Sequence, residues 1–524
     1  MNNILLRILD DAHKLIIVVL FFCILISPLQ TIAAFFVCSF VSKRCGRKIA
    51  VLYSSIIICI SFAYIIFGDY YPADAMYCYS NQVNYFISID PYRIIFSTFA
   101  SIIVLFAKDF LMTDTGTRMV DLEVKRQEHQ IPHGQYNYSS RVNTLLIGTT
   151  RSGKTTALAH IAEYSIRNGE PVIVVSGKNG ARDKYSLCNQ LKHICRKYHR
   201  DLKIVSTSAY EDDRILYNPF RWSSPTTVRD VLLSLFQFSE SHYESAFSDW
   251  ILAICTVLIK SGDVISIPGI LDLYDFSNFK ANVKNLYSEG LLSDNELEDF
   301  LSMKRVADIA SDSKSRIRNL ISGDADAILN TRDGYSVRDA RNDNAVILFD
   351  LDGLKYDEFS RALGMLITSD IRDTIADEYD VERKKLIIMD ELSIFFSNLV
   401  PTIYSQASGF GYQTVAGSQS FSDMDKVSSS LAEVMIENSH QFGFFLQHSS
   451  SDAERAAKII GTKKAPEITK RINGASYDPA GSLKIVEEFR VHPNVIKKLQ
   501  QREMILYNKT NTPDLSKVKW DFVS

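Results

Sequence analysis

Arg141-Val-Asn-Thr-Leu-Leu-Ile-Gly148-Thr-Thr-Arg-Ser-Gly-Lys-Thr155 is the stretch on which the fold of this chain turns. The first half is a short aliphatic run that reads as a strand. The second is a full GxxxxGK[ST] match, and Ala157–Ile166 continues it as a helix. Strand, glycine loop and helix in that order make a phosphate-binding loop. Glycines at 148 and 153 let the backbone turn its N–H groups toward phosphates. The helix N-terminus adds positive dipole, Lys154 can reach the β and γ oxygens, and Thr155 can ligate Mg2+. A bound nucleotide is therefore expected along Gly148, Thr149, Thr150, Arg151, Ser152, Gly153, Lys154, Thr155 and Thr156.

Such a loop needs an acidic partner on a neighbouring strand. Arg383-Lys-Lys-Leu-Ile-Ile-Met-Asp390-Glu391 supplies one, with four apolar residues ending in two carboxylates, at the strand end where open α/β sheets place ligands. Asp390 is expected in the Mg2+ shell, and Glu391 is expected to orient or deprotonate an attacking water. Further strands are expected at Pro171–Val175, Leu202–Ser206, Ala345–Phe349, Gln413–Ala416 and Gln441–Leu446, with helices at Phe359–Asp377 and Ser451–Ile460. That alternation predicts an α/β domain with a largely parallel sheet, helices on both faces. Lys154 and Asp390 must meet at one nucleotide, yet the stretch between them is too long for the elements it must hold. The surplus reads as helices at Val231–Phe238, Phe247–Ile259, Phe276–Tyr287 and Asp294–Ala310. The nucleotide-binding domain is thus expected in two parts, 141–225 and 339–508, around an all-α insertion at 226–338.

Composition divides the chain again. Of 524 residues 46% are hydrophobic, which excludes a disordered or fibrous protein, and the net charge of −3 gives no global basic field. Only 15 charged side chains lie in residues 1–115, against 104 in 116–524. Three uncharged runs, Leu15–Ser42, Ile49–Gly68 and Ile94–Ala107, make residues 1–115 a transmembrane helical anchor of two or three spans. Lys43, Arg44, Arg47 and Lys48 crowd the first gap, whereas Asp69–Pro91 has three aspartates and no Lys or Arg. The positive-inside rule then puts an outer loop at about 69–93 and the body in the cytoplasm. Residues 116–140 read as a linker and 509–524 as a short tail, with no long C-terminal extension for docking adaptors.

Minor signals are weaker. Cys188, His193 and Cys195 lack a second ligand pair for zinc. Asp350-Leu-Asp352-Gly lacks the other positions of a calcium loop and reads as a turn. Lys192–Lys203 carries five basic residues, a solvated helix face or a phosphate contact.

The layout of residues 135–510 resembles the type IV secretion coupling proteins (TraG/TraD-like), membrane-anchored members of the FtsK/HerA group of RecA-like ATPases. Gly148–Thr155 is similar to that family's GxTGSGKT and Leu386–Glu391 to its second motif. Gly417-Ser-Gln-Ser420 resembles its Gln-Ser motif, Tyr217-Asn-Pro-Phe220 its Asn-Pro stretch before the helical domain, and Phe247–Trp250 the aromatic opening of a helix there. The resemblance implies a RecA-like P-loop ATPase using ATP and Mg2+, a homo-hexamer at the bacterial inner membrane. It would pass single- or double-stranded DNA, with relaxase or relaxosome attached, to type IV secretion channel components. Lys154, Glu391 and Gln419, the last as γ-phosphate sensor, would be catalytic. Two departures lie near the nucleotide: Arg151 stands where the family usually has Gly, and Ser176-Gly-Lys-Asn-Gly180 replaces Asp-Pro-Lys-Gly-Glu. Where an arginine from a neighbouring subunit is sought, the chain reads Gln447-His-Ser-Ser-Ser451, leaving Arg141 and Arg455 as substitutes. Two other readings stay open: a coupling ATPase for protein effectors, and an ATP-binding assembly scaffold with little turnover.

Overall fold

Six aliphatic segments bury every residue they contain: β1 (Thr144–Ile147), β2 (Val172–Ser176), β4 (Val346–Asp350), β5 (Lys385–Asp390), β6 (Tyr412–Ser418) and β7 (Gln441–Phe444). Strands buried end to end belong to a parallel sheet covered on both faces. The computed structural model describes residues 131–178, 183–208, 211–323, 326–392, 399–428, 430–473, 476–510 and 514–522. The expected anchor, its outer loop and most of the linker lie outside them. Among the described residues, no helix is long and apolar enough to cross a membrane.

The main sheet has nine strands in the order β11-β10-β7-β1-β6-β5-β2-β4-β3, where β3 is Leu202–Ser206, β10 Glu503–Asn508 and β11 Leu515–Lys519. The pairings from β7 to β3 are all parallel, whereas β10 and β11 are antiparallel additions. One expectation needs correcting: the acidic strand β5 is not adjacent to β1, because β6 lies between them. A second correction concerns the expected tail: of its described residues, Leu515–Lys519 form the edge strand β11, and Trp520 after them is buried. The end of the expected linker is also tied in, since Gly134 N–H donates to Lys517 O at 3.0 Å and Lys517 N–H to Pro132 O at 2.8 Å. The hairpin of β8 (Thr462–Asn473) and β9 (Ser476–Phe489) was not expected; most of it, Lys464–Glu488, groups apart from the body.

Helix α1 (Lys154–Arg167) follows β1 and α2 (Leu187–Lys197) precedes β3. Eight helices follow: α3 (Pro225–Leu235), α4 (Ser241–Lys260), α5 (Ile267–Leu273), α6 (Phe276–Ser288), α7 (Asp294–Ser302), α8 (Lys304–Ala310), α9 (Lys314–Asn319) and α10 (Val337–Asn342). Their core is aromatic. Fully buried Trp250 donates its indole N–H to Tyr274 O at 3.0 Å and stands 4.6 Å from the Phe279 ring. The segment expected as one helix over 294–310 breaks at Met303, letting α8 turn to pack along α4 while Phe300 of α7 meets Phe279. Helices α11 (Asp357–Ala376), α12 (Val400–Gln406), α13 (Phe421–Val427), α14 (Leu431–Glu437), α15 (Ser450–Ile460) and α16 (Pro493–Lys497) complete the fold.

The Asn-Pro stretch is the hinge between sheet and helices. Tyr217 and Tyr335 form an isolated parallel bridge where the chain leaves for the helices and returns. Asn218, 1% exposed, donates to Ile265 O at 3.0 Å and Arg332 O at 2.9 Å, and its Oδ1 accepts from Phe220 N–H. One amide thus joins departing chain, returning chain and helical core. Tyr217 O–H and Val337 N–H both donate to Asp370 Oδ2, at 2.9 Å each. Burial nonetheless pushes the Asp370 carboxyl up to about 7. Asn218→Ala removes the partner of one buried carbonyl, one partly buried carbonyl and a buried N–H, so stability should fall by about 2 kcal/mol, read as a lower chemical-denaturation midpoint with an unchanged m-value.

Candidate functional site

Sheet register brings the candidate residues together. Ile147 of β1 pairs with Ser418 of β6, Gly417 with Asp390 of β5, and Asp390 with Ser176 of β2. The residues just past these strand ends therefore share one rim of the sheet, where consecutive strands leave in different directions.

The loop after β1 is pinned on both sides. Gly148 N–H donates to Ser418 O at 3.2 Å and Thr149 N–H to Leu446 O at 3.0 Å. Gly148 has no room for a side chain, because a Cβ would stand 2.4 Å from Phe445 Cβ. Gly153 adopts φ 110° and approaches a second backbone: its Cβ would lie 2.7 Å from Arg502 Cα. That closeness lets Arg502 N–H donate to Ser152 O at 2.8 Å, tying the loop to the segment leading into β10. Arg151 has φ 63°. A glycine adopts this left-handed conformation freely, and a side chain costs about 1–2 kcal/mol there.

Lys154 is the first residue of α1 and 3% exposed; its Nζ donates to the carbonyls of Gly148 and Thr149. Burial, with Lys178 nearby, lowers its pKa to about 8 despite the opposing pull of Asp390 and Glu391. Thr155, partly exposed, and buried Thr156 follow in the first turn of α1. Asp390 is 1% exposed, and burial raises its pKa against the influence of Lys178 and Lys154. Glu391 is 4% exposed with φ 64°, a left-handed conformation that aims its side chain out of the strand direction.

These groups form one chain of polar contacts. Thr150 O–H donates to Gln419 Oε1 at 3.0 Å, and Gln419 Nε2 donates to Glu391 Oε2 at 2.9 Å. Lys178 Nζ lies 3.0 Å from Glu391 Oε2 and 3.8 Å from Asp390 Oδ1. Burial alone would pull the Lys178 ammonium down, but Asp390 and Glu391 hold it above the usual lysine range. Sequence reasoning missed this cation: it noted 176–180 only as a departure, although a lysine two residues past a strand end was visible. It also missed Arg502, for which no local motif gives a signal.

A metal ion fits beside Asp390. Among the described residues neither carboxylate oxygen has a hydrogen-bond partner, both are buried, and Gly417 keeps the space clear, since a Cβ there would stand 3.1 Å from Oδ1. Hard oxygen donors suit Mg2+. Among the described residues, no group of three or more His, Cys, Asp or Glu forms another metal cluster. Cys188 and Cys195 are buried packing groups, each thiol pushed up to about 12 by burial. Asp352 makes the expected turn, its Oδ1 accepting from Lys355 N–H at 3.0 Å.

Most of the other arginines and lysines singled out are engaged within the chain. Arg141 pairs with Glu170, and Arg455 with Asp425 at 2.7 Å and with Glu433. Lys192 holds Glu211 at 2.7 Å, Lys197 holds Glu163 at 3.1 Å and Lys203 holds Asp201 at 2.9 Å. Arg200 donates to the Ile166 and Glu170 carbonyls, and Arg196 is exposed. The basic segment is mostly a set of internal ties.

Neither a protein-family model nor a curated protein matches the sequence. Solved structures do. The bacterial conjugative coupling protein TrwB in its unbound monoclinic form aligns with 16% identity and a TM-score of 0.51, covering 74% of this chain and 86% of that one. The plasmid coupling protein TrwB in complex with the non-hydrolysable ATP analogue ADPNP aligns with 16% identity and a TM-score of 0.50, covering 73% and 86%. At this identity the likeness establishes the fold.

Lys178→Met should cost about 1–2 kcal/mol at neutral pH, less than a fully buried pair because the ammonium is a third exposed. Lys178 has a raised folded pKa, so its stabilisation is present at neutral pH and lost as pH rises through that value. The deficit of the variant should also shrink as pH falls and Asp390 takes up a proton. Denaturation midpoints across pH for both chains check this.

Proposed function

We propose that this chain is a membrane-anchored P-loop ATPase that couples ATP hydrolysis to delivery of DNA, with its relaxase, into a type IV secretion channel. It works as a homo-hexamer at the bacterial inner membrane, its body in the cytoplasm. The observation that carries the reading is the convergence of Lys154, Lys178, Asp390, Glu391 and Gln419 at the ends of four strands. A fold shared with TrwB, a coupling protein solved with an ATP analogue, supports it, as do the uncharged runs of residues 1–115.

In this reading the amides of Gly148–Thr155 cradle the β and γ phosphates, and Lys154 leaves its carbonyl partners for phosphate oxygens. Asp390 and Thr155 would hold Mg2+, which would supply neutralisation of charge on the β and γ oxygens. Glu391 accepts a proton from the attacking water as its oxygen bonds to the γ phosphorus. The bond to the bridging oxygen breaks, leaving ADP and phosphate. Lys178 and Gln419 hold Glu391 Oε2, and weakening the Lys178 contact would make the carboxylate a stronger base. Gln419, joining Thr150 to Glu391, is placed to relay γ-phosphate occupancy to the base.

ATP hydrolysis by the full chain in detergent, with and without single- and double-stranded DNA, tests the proposal. DNA should raise the rate several-fold, and Lys154→Ala should lower it about 100-fold. Hydrolysis indifferent to DNA, without DNA binding, would favour a protein substrate. ATP binding without turnover would favour the assembly scaffold.

A further inference from the structure

Beside the phosphate loop lies a cluster of rings and cations that none of the assigned roles uses. Arg502, whose backbone clasps Ser152, sends its guanidinium over the ring of Phe522, 4.0 Å from the centroid. The Phe522 ring in turn lies 5.1 Å from that of Tyr185, tilted by 34°. Lys184 Nζ sits 5.9 Å from the Tyr185 centroid. Both rings are large and half in water: Tyr185 is 56% exposed and Phe522 48%. Arg502 Nε is buried and, among the described residues, lacks a hydrogen-bond partner.

This cluster is held in place from outside. Trp520 N–H donates to Arg502 O at 2.9 Å, and the buried indole stacks on His160 of α1 with centroids 5.6 Å apart. His160 Nε2 is 2.8 Å from Asp521 O, which fixes the residue before Phe522. The strand β11 thus delivers Phe522 across α1, the helix whose first turn carries Lys154, toward Tyr185 just ahead of α2. The ring pair stands one side chain from Gly153, because Arg502 touches both.

We propose that Tyr185, Phe522 and Arg502 form the base clamp of the nucleotide site: these groups pack on one another in this structure, and the nucleobase whose phosphates lie in the Gly148–Thr155 loop takes the place of one of those stacking contacts. The assignment rests on the nucleotide-binding reading above. Nucleobases are flat π-systems that stack on aromatic rings and on guanidinium planes, and such stacking tolerates any base because every base has a π-face. Recognition by this clamp is therefore by stacked area and not by hydrogen-bonding edges. Adenine and guanine bind alike, and pyrimidines bind less well.

Equilibrium binding to the full-length chain separates base from phosphate. ATP and inorganic tripolyphosphate are titrated into the unaltered protein and into the Phe522→Leu, Tyr185→Leu and Lys154→Ala variants. The clamp predicts that both leucine variants weaken ATP about tenfold while leaving tripolyphosphate unchanged, that Phe522→Trp restores ATP, and that Lys154→Ala weakens both ligands. Equal weakening of ATP and tripolyphosphate in the leucine variants, or no change in either, would overturn the clamp and leave nucleotide binding standing. If the unaltered chain binds neither ligand, nucleotide binding itself falls, and the clamp with it.

Discussion

Two carboxylates, Asp390 and Glu391, are buried side by side at the end of β5, and charge in a protein interior must be met by charge or by protons. Much of the sheet rim follows from that constraint. Lys178 comes to them from β2, Gln419 from β6, and Lys154 from the helix after β1. The cations are themselves buried enough that burial works against each of them, which lowers Lys154. A site balanced in this way is sensitive to any new charge. A polyanion in the loop would give Lys154 a better partner than two carbonyls, and a cation at Asp390 would release Lys178 from the acids.

The same rim is closed from the far edge of the sheet. β10 and β11 run antiparallel beyond β7, and the turns at their ends bring Arg502 onto the phosphate loop and Trp520 onto α1. Gly153 is needed because the Arg502 backbone occupies the place of its Cβ. The loop after β1 is therefore braced by β6, by β7 and by the segment before β10, so that its geometry depends on residues roughly 270 to 350 positions away in sequence. The helices between α3 and α10 attach through a narrow hinge, where Asn218 and Asp370 gather the crossing chains.

Legibility followed physical necessity. The strand, loop and helix over 144–167 could be read because the spacing of the two glycines and the lysine marks that turn. β5 could be read because an aliphatic run that ends in paired acids has few uses. The helical insertion was visible because Lys154 and Asp390 lie too far apart in sequence for the elements a simple domain would place between them. What escaped was set by tertiary contact. Leu515-Ser-Lys-Val-Lys519 carries no strong strand pattern, and only its pairing with β10 makes it a strand. The hairpin of β8 and β9 contains Pro466, Gly474, Pro479 and Gly481, which read as loop. Met303 breaks a helical run because α8 finds a partner in α4. Lys178 stood in plain sight, but its partnership with Glu391 depends on the order of strands, which local sequence does not state.

Lys154 is a buried ammonium held by two carbonyls, and the proposed function requires it to exchange them for phosphate. With its pKa lowered to about 8, part of the lysine is neutral in mildly alkaline solution, and a bound polyphosphate should drive it to the charged form. Calorimetry of ADP binding without metal, at pH 8 in buffers of different ionisation enthalpy, counts those protons directly. Net proton uptake on binding, absent in Lys154→Ala, is the predicted result. Binding with no proton uptake, or with uptake unchanged in that variant, would contradict the account.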